Sequence, residues 1–149
     1  MKTVYMSIMN RLASEIPALR WIELNIGQLK LIEKGESLPI TYPCALIGIS
    51  MPECIDITER TQDCRLAVEI TLLFDPIEVG QTAANASEED RNNALRPYDI
   101  ISDVYKALQG FGTDQFNALS RISEGREYSE ILYVYKINFL SDFVDTTAE

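Results

Sequence analysis

The hydrophobic pattern is most regular from Cys64 to Phe74, where apolar and mainly polar or small residues alternate. A period of two is typical of a β-strand with one face in the core. The predicted buried face carries Cys64, Leu66, Val68, Ile70, Leu72 and Phe74, and the predicted open face carries Arg65, Ala67, Glu69, Thr71 and Leu73. We therefore expect a half-buried strand that ends where Asp75 and Pro76 follow.

Two segments show the three- and four-residue spacing of amphipathic helices. The first runs from about Lys2 to Ile16 and is ended by Pro17. The second begins near Pro97, which suits the first turn of a helix, and ends at Gly110, which we expect to act as a left-handed C-cap. Its apolar stripe consists of Ile101, Val104, Tyr105 and Leu108.

Other apolar runs predict further strands. Segments Leu19–Asn25 and Gln28–Ile32 flank Gly27, which indicates a hairpin. The run Pro43–Met51 is apolar on both faces, as in a central covered strand, and is followed by Pro52 and a polar connection.

The last third of the chain predicts two more strands. A weaker strand is expected around Phe116–Ile122, followed by a turn at Glu124 and Gly125. From Ile131 to Phe139 the side chains alternate again, and this strand is expected to close the sheet.

The order of elements predicts a single α+β domain over residues 1–149, with an antiparallel or mixed sheet and two main helices on one face. Between Pro76 and Arg96 the chain is small and polar, and longer than an ordinary connection. Within it, Ser87 is spaced to cap a short helix reaching Leu95, although a solvated turn fits the same residues. The acidic tail from Asp142 to Glu149 is expected to extend from the domain unless another subunit orders it.

Composition narrows the classes of function. The chain has 149 residues with 23 acidic and 13 basic side chains, giving a formal charge of −10, which disfavours binding to nucleic acid or anionic membranes. No apolar run approaches a signal core or a membrane span. Cys44, Cys54 and Cys64 do not have zinc-site spacing and are expected to be reduced thiols in a cytoplasmic environment, with Cys44 and Cys64 buried.

The sequence offers only weak candidates for catalytic residues. The best enzyme case uses Glu53, Asp56, Glu59 and Asp63 as acid and base, but few apolar neighbours are present to separate their pKa values. The run Glu88–Asp90 is a weak candidate for a cation site, and solvated carboxylates near a helix start explain it equally well. We therefore predict no enzyme activity, no catalytic residue, no cofactor and no metal.

The aromatic stripe of Tyr133, Tyr135 and Phe139 has two interpretations. It could stack nucleic-acid bases, but without a basic groove for phosphates it more simply packs against helices.

Several segments together resemble the phage tail terminator, or tail completion, family. They are Trp21–Leu29 with Tyr42–Ile47, then Tyr98–Ile101 leading to Leu108–Gly110, then Tyr133–Asp145. The resemblance spans most of the chain and rests on element order and apolar pattern. It implies a structural virion protein, assembled in the bacterial host cytoplasm, that caps the tail tube as a hexameric ring, stops tube polymerisation and joins the tail to the head connector.

The partners implied are copies of this chain, the tail tube protein and a connector or neck protein. A ring of this kind needs a heterologous contact, and the long loop and the tail are its candidate segments. The candidate interface residues are Gly80, Gln81, Asn85, Ser87, Glu88, Glu89, Asp90 and Arg91 in the loop, and Asp142, Phe143 and Asp145 in the tail. The alternative is an acidic binding module, or DNA-mimic decoy, that occupies a basic protein.

Overall fold

A computed structural model describes the whole chain from Met1 to Glu149. It contains four helices and six strands. The helices are α1 (Lys2–Glu15), α2 (Gln28–Glu33), α3 (Glu88–Ala94) and α4 (Arg96–Leu108), and the strands are β1 (Trp21–Leu24), β2 (Cys44–Ser50), β3 (Cys54–Asp56), β4 (Gln62–Phe74), β5 (Ser120–Glu127) and β6 (Tyr133–Asp145). The predicted α+β class is confirmed, and the elements form one sheet with helices on it.

The sheet is mixed, with strand order β1-β2-β4-β6-β5 and the short β3 paired to β4 outside that path. Only β1 and β2 run parallel, and every other pairing is antiparallel. Strands β4 and β6 pair along their whole length, from Gln62 opposite Asp145 to Phe74 opposite Tyr133. This long pair forms the centre of the sheet, so β6 lies inside the sheet and does not close it.

The main core lies between one face of the sheet and the two long helices. Helix α1 contributes Val4, Ile8 and Leu12, as the apolar spacing predicts. Helix α4 contributes its predicted stripe, with Tyr105 only half-buried. Gly110 has φ +77°, as expected after the helix, although its amide donates to the Leu119 carbonyl and not to a helix carbonyl. The sheet side of this core includes Leu66, Val68, Ile70, Leu72, Phe74, Ile137 and Phe139.

A second, smaller core covers the opposite face at one end of the sheet. It joins Leu46, Leu73 and Val134 to Leu29 and Ile32 of α2. The predicted hairpin is therefore wrong in its second half, because residues 28–33 form a helix. The Gln28 side chain closes the Gly27 turn by accepting from the Ile26 amide at 2.8 Å and donating to the Leu24 carbonyl at 2.9 Å.

Strand β4 is more buried than predicted, because the second core covers part of its predicted open face. Its first part keeps Arg65 exposed and Glu69 half-buried on the open face, but Thr71 and Leu73 are buried. Near Phe74, β4 is covered on one face by the main core and on the other by the second core. Strand β2 is likewise covered on both faces at its start, which confirms the prediction of a central covered strand.

The weaker strand predicted in the last third is present as β5, but its predicted start and the turn after it are wrong. Phe116 precedes β5 in a loop and inserts into the main core, and Glu124 and Gly125 lie within β5 rather than in a turn. The chain reverses instead at residues 128–132. All eight β5 residues are exposed, so no hydrophobic period marks this strand.

The acidic tail also differs from the prediction. Residues up to Asp145 belong to β6, and Asp142 lies opposite Arg65 in the sheet, which places opposite charges at facing positions. The last residue folds back, since the Thr61 hydroxyl donates to the Glu149 carboxylate at 2.7 Å. The tail is thus held by its own domain.

Candidate interaction surfaces

The long loop follows β4 and reaches α3. Its residues 75–87 are organised by successive turns, with the Gln81 amide donating to the Glu78 carbonyl at 3.3 Å and the Ala83 amide donating to the Gly80 carbonyl at 3.2 Å. Gly80 has φ +93°, a conformation that favours glycine. Val79 is fully exposed at the tip. The loop therefore has local hydrogen bonding but presents an apolar side chain to solvent.

Helix α3 confirms the helical alternative for the end of this loop. The Ser87 hydroxyl accepts from the Asp90 amide at 3.1 Å and caps the helix. Glu88, Glu89 and Asp90 occupy the first turn, where the helix dipole favours negative charge. The Arg91 guanidinium donates to the Ala84 carbonyl at 2.7 Å and ties the loop to the helix.

Two tyrosines hold α4 to the sheet beside this loop. The hydroxyls of Tyr98 and Tyr133 lie 2.7 Å apart, and the Arg126 guanidinium lies 5.0 Å from the centre of the Tyr133 ring. Burial, followed by the hydrogen bond to Tyr98, raises the pKa of Tyr133 to about 12. Tyr133 and Phe139 are buried and Tyr135 is half-buried, which confirms the packing interpretation of the aromatic stripe.

We define the loop end as Pro76–Ser87 with α3 and the start of α4. Its exposed apolar side chains are Val79, Leu95 and Tyr98. The candidate residues Gly80, Asn85, Ser87, Glu88, Glu89 and Asp90 are exposed here, and Gln81 and Arg91 are partly exposed.

We define the hairpin end as residues 51–65 with residues 141–149. It contains β3, the start of β4 and the end of β6, and its exposed large apolar side chains are Met51, Ile55, Ile57 and Val144. The sequence interpretation missed β3, although Ile55 and Ile57 alternate with Asp56 after Pro52 and carry a weak strand signal.

The tail candidates lie at the hairpin end. Asp142 and Val144 are exposed, whereas Phe143 and Asp145 are partly buried, and Phe143 packs against the main core. Two hydrogen bonds from Thr147, one from its hydroxyl and one from its amide, lower the pKa of Asp145. The Asn117 side-chain amide donates to the Asp142 carboxylate.

The carboxylates considered for catalysis are also at the hairpin end. Glu53 pairs with Arg65 at 3.0 Å, and Asp56 accepts from the Gln62 side-chain amide at 2.9 Å. Glu59 and Asp63 are exposed. Glu53, Asp63 and Asp142 border a shallow depression around Arg65, so the arrangement presents negative charge at the surface. No group of three or more His, Cys, Asp or Glu side chains is arranged to hold a metal ion.

The two candidate segments lie at opposite ends of the same strands. The loop leaves β4 at Phe74, and the tail runs antiparallel to the start of β4 from Gln62 to Arg65. A strand of 13 residues rises about 40 Å, so the loop end and the hairpin end are separated by roughly that distance. A single molecule therefore cannot bring these two surfaces together.

The sequence interpretation also missed that β5 is one of the two edge strands of the sheet. Strand β5 pairs with β6 on one side only. Arg121 pairs with Glu124 along β5 at 3.0 Å, and Glu127 pairs with Lys136 of β6 at 3.2 Å. Charged side chains are a common protection of exposed strand edges.

Comparison with solved structures finds a weak likeness. A solved structure described as "Virion of native gene transfer agent (GTA) particle" contains a chain with a TM-score of 0.48 and 9% identity, over 95% of this chain and 92% of that chain. A likeness at this level carries no argument about function. No protein-family model and no curated protein matches the sequence. None of the helices has the length and apolar character needed to cross a membrane.

Proposed function

We propose that this chain is a structural protein of a phage virion that acts as a tail terminator. It assembles in the host cytoplasm as a homo-oligomeric, hexameric ring that caps the tail tube, stops its growth and connects it to the head. The resemblance of the apolar segments supports the family, and the placement of the two candidate surfaces supports the mechanism. The proposal assigns no catalytic step and no cofactor to the chain.

The observation that carries the proposal is the separation of the loop end from the hairpin end. A ring forms when one patch on a subunit meets a different patch on its neighbour and the rotation closes. Val79 at one end and Ile57 at the other are exposed apolar side chains on different surfaces. Exposed apolar patches bordered by polar residues are typical of protein interaction sites.

Charge disfavours the symmetric alternative, in which two hairpin ends meet. The hairpin end carries seven acidic residues and only two basic ones, Arg60 and Arg65. The acidic residues are Glu53, Asp56, Glu59, Asp63, Asp142, Asp145 and Glu149. Two hairpin ends therefore repel each other, which disfavours a symmetric dimer through this surface. The loop end carries fewer excess charges, with Glu78, Glu88, Glu89 and Asp90 beside Arg91 and Arg96, so its contact with a hairpin end is less repulsive than contact between two hairpin ends.

Native mass spectrometry over a range of concentrations, with particle imaging, tests the proposal. We expect closed rings, either alone or on isolated tube ends. A protein that remains monomeric and leaves tube ends free to grow contradicts it.

A mixing experiment tests the head-to-tail contact. Val79→Asp disables the loop end and Ile57→Asp disables the hairpin end, and each variant alone is expected to remain monomeric. An equimolar mixture retains one intact contact between the variants, so it is expected to give heterodimers that do not close. Ser102→Asp, at an exposed position on α4, is the control and should form rings. Rings from either single variant contradict the assignment of the ends.

The acidic surface of the hairpin end favours one second candidate, a module that occupies a basic protein. Such a complex weakens steeply as salt rises, because exposed charges are screened. A ring with apolar contacts depends less on salt. Tight binding to a basic protein that is lost at high ionic strength, without ring formation, would favour this candidate.

A further inference from the structure

Cys54 and Cys64 lie directly opposite each other on β3 and β4. The backbone hydrogen bonds on either side of this pair show whether the pair is itself hydrogen-bonded or not. The Arg65 amide donates to the Glu53 carbonyl at 2.8 Å, and the Ile57 amide donates to the Thr61 carbonyl at 2.8 Å. Bonded pairs alternate with non-bonded pairs in an antiparallel ladder, so Cys54 and Cys64 form a non-hydrogen-bonded pair.

This position brings two side chains unusually close. The Cα atoms of a non-hydrogen-bonded pair are about 4.5 Å apart, which lies within the range that disulfides span. Both side chains project to the same side of the sheet, because directly opposed residues share a face. The two cysteines can therefore be joined without moving the backbone far.

The two thiols differ in access to solvent. Cys54 is exposed, whereas Cys64 is buried. A hydrogen bond with Cys54 is the largest cause that raises the pKa of Cys64, to about 11, followed by burial. An oxidant from solution therefore meets Cys54 first, and Cys64 is held beside it as the resolving thiol.

We propose that Cys54 and Cys64 form a modification site that hydrogen peroxide converts to a disulfide across β3 and β4. The Cys54 sulfur attacks the peroxide, so that an S–O bond forms, the O–O bond breaks and one oxygen leaves as water. The Cys64 sulfur then attacks the Cys54 sulfur. The S–S bond forms, the S–O bond breaks, and the oxygen leaves as a second water with the Cys64 proton.

The disulfide fastens the projecting hairpin to the long strand. Residues 55–63 form the enclosed loop, which includes the exposed side chains of Ile55 and Ile57. Closing the loop lowers the entropy of the unfolded chain and stiffens the hairpin end. Oxidation thus stabilises this surface, and a thiol reductant reverses the change.

The test treats the full-length protein with hydrogen peroxide and maps its peptides without reduction. Trypsin cleaves after Arg60 and Arg65, so the disulfide is expected to link the peptide 61–65 to the peptide that contains Cys54. Cys44 lies in that same peptide, and Cys44→Ala is therefore the matched control. It should retain the link, because Cys44 is buried in the second core.

Cys54→Ser should abolish the link, and its exposed position makes this change compatible with folding. In the wild type, oxidation should remove two hydrogen atoms from the intact mass and raise the thermal midpoint, and dithiothreitol should reverse both changes. A cross-link through Cys44, a Cys54-linked dimer on a non-reducing gel, or Cys54 oxidised with Cys64 still a free thiol would each overturn the proposal.

Discussion

The Tyr98 hydroxyl of α4 lies 2.7 Å from the Tyr133 hydroxyl at the start of β6. This contact joins the helix that follows the long loop to the central pair of strands. Tyr133 is buried, and Tyr98 is the hydrogen-bond partner that the protein provides for its hydroxyl. The loop end is thereby held in a fixed position on the sheet.

Tyr98→Phe is expected to lower the free energy of unfolding by about 1 kcal/mol, because the buried Tyr133 hydroxyl loses its partner. Urea unfolding followed by circular dichroism measures the change. Tyr105→Phe is the control, since the Arg121 guanidinium lies 3.9 Å from the centre of that ring and the hydroxyl bonds to no protein group. Equal stability of Tyr98→Phe and the wild type would contradict the assigned role of the contact.

Stability should fall at alkaline pH in a way that depends on Tyr133. Its pKa is raised from the ordinary 10.0 to about 12, so the folded state retains the phenol proton after the unfolded state releases it. The resulting contribution to stability is complete below pH 10 and is lost as the pH rises from 10 through 12. Urea unfolding at a series of pH values should show a shallower decline for Tyr133→Phe. Parallel declines for the variant and the wild type would refute the assignment.

Gly112 is predicted to be intolerant of a side chain. An added Cβ would lie 3.0 Å from the Ala118 nitrogen and 3.1 Å from the Phe116 oxygen, both of which are backbone atoms. Gly112→Ala should therefore lower the free energy of unfolding by about 1 to 3 kcal/mol.

Gly125→Ala provides the matched control for Gly112→Ala. An added Cβ at this position in β5 meets nothing within 4 Å. The expected change is within about 0.5 kcal/mol. Thermal and urea unfolding of both variants make the comparison, and similar stabilities would show that the tight contact at Gly112 relaxes without cost.

The last residues should be released by Thr61→Val, because the Thr61 hydroxyl donates to the Glu149 carboxylate at 2.7 Å. Carboxypeptidase should then trim the residues after Asp145 faster than in the wild type. Residues up to Asp145 should remain protected within β6. Thr82→Val changes an exposed threonine at the loop end and is the control. Unchanged trimming of Thr61→Val would mean that the contact does not hold the tail.

The periodic parts of the fold could be predicted from the sequence. Helices α1 and α4 and the long strands β4 and β6 each carry enough apolar residues at one spacing to identify the element and its buried face. The candidate surfaces could be placed in the chain in the same way, as a long polar loop and an acidic end. The position of these surfaces at opposite ends of the sheet could not be predicted, because it depends on the register between β4 and β6.

The sequence alone determined the amphipathic helices, the long alternating strands, the acidic surface and the α+β class, because these follow from local spacing and composition. Only the tertiary structure decided that residues 28–33 are helical, that the exposed Ser120–Glu127 is a strand and that Cys54 faces Cys64. Each of these depends on a partner distant in the chain: Leu73 beneath α2, the β6 backbone beside β5, and β4 beside β3. Hydrogen bonds and packing across the sheet stabilise these elements, whereas local side-chain preference leaves them ambiguous.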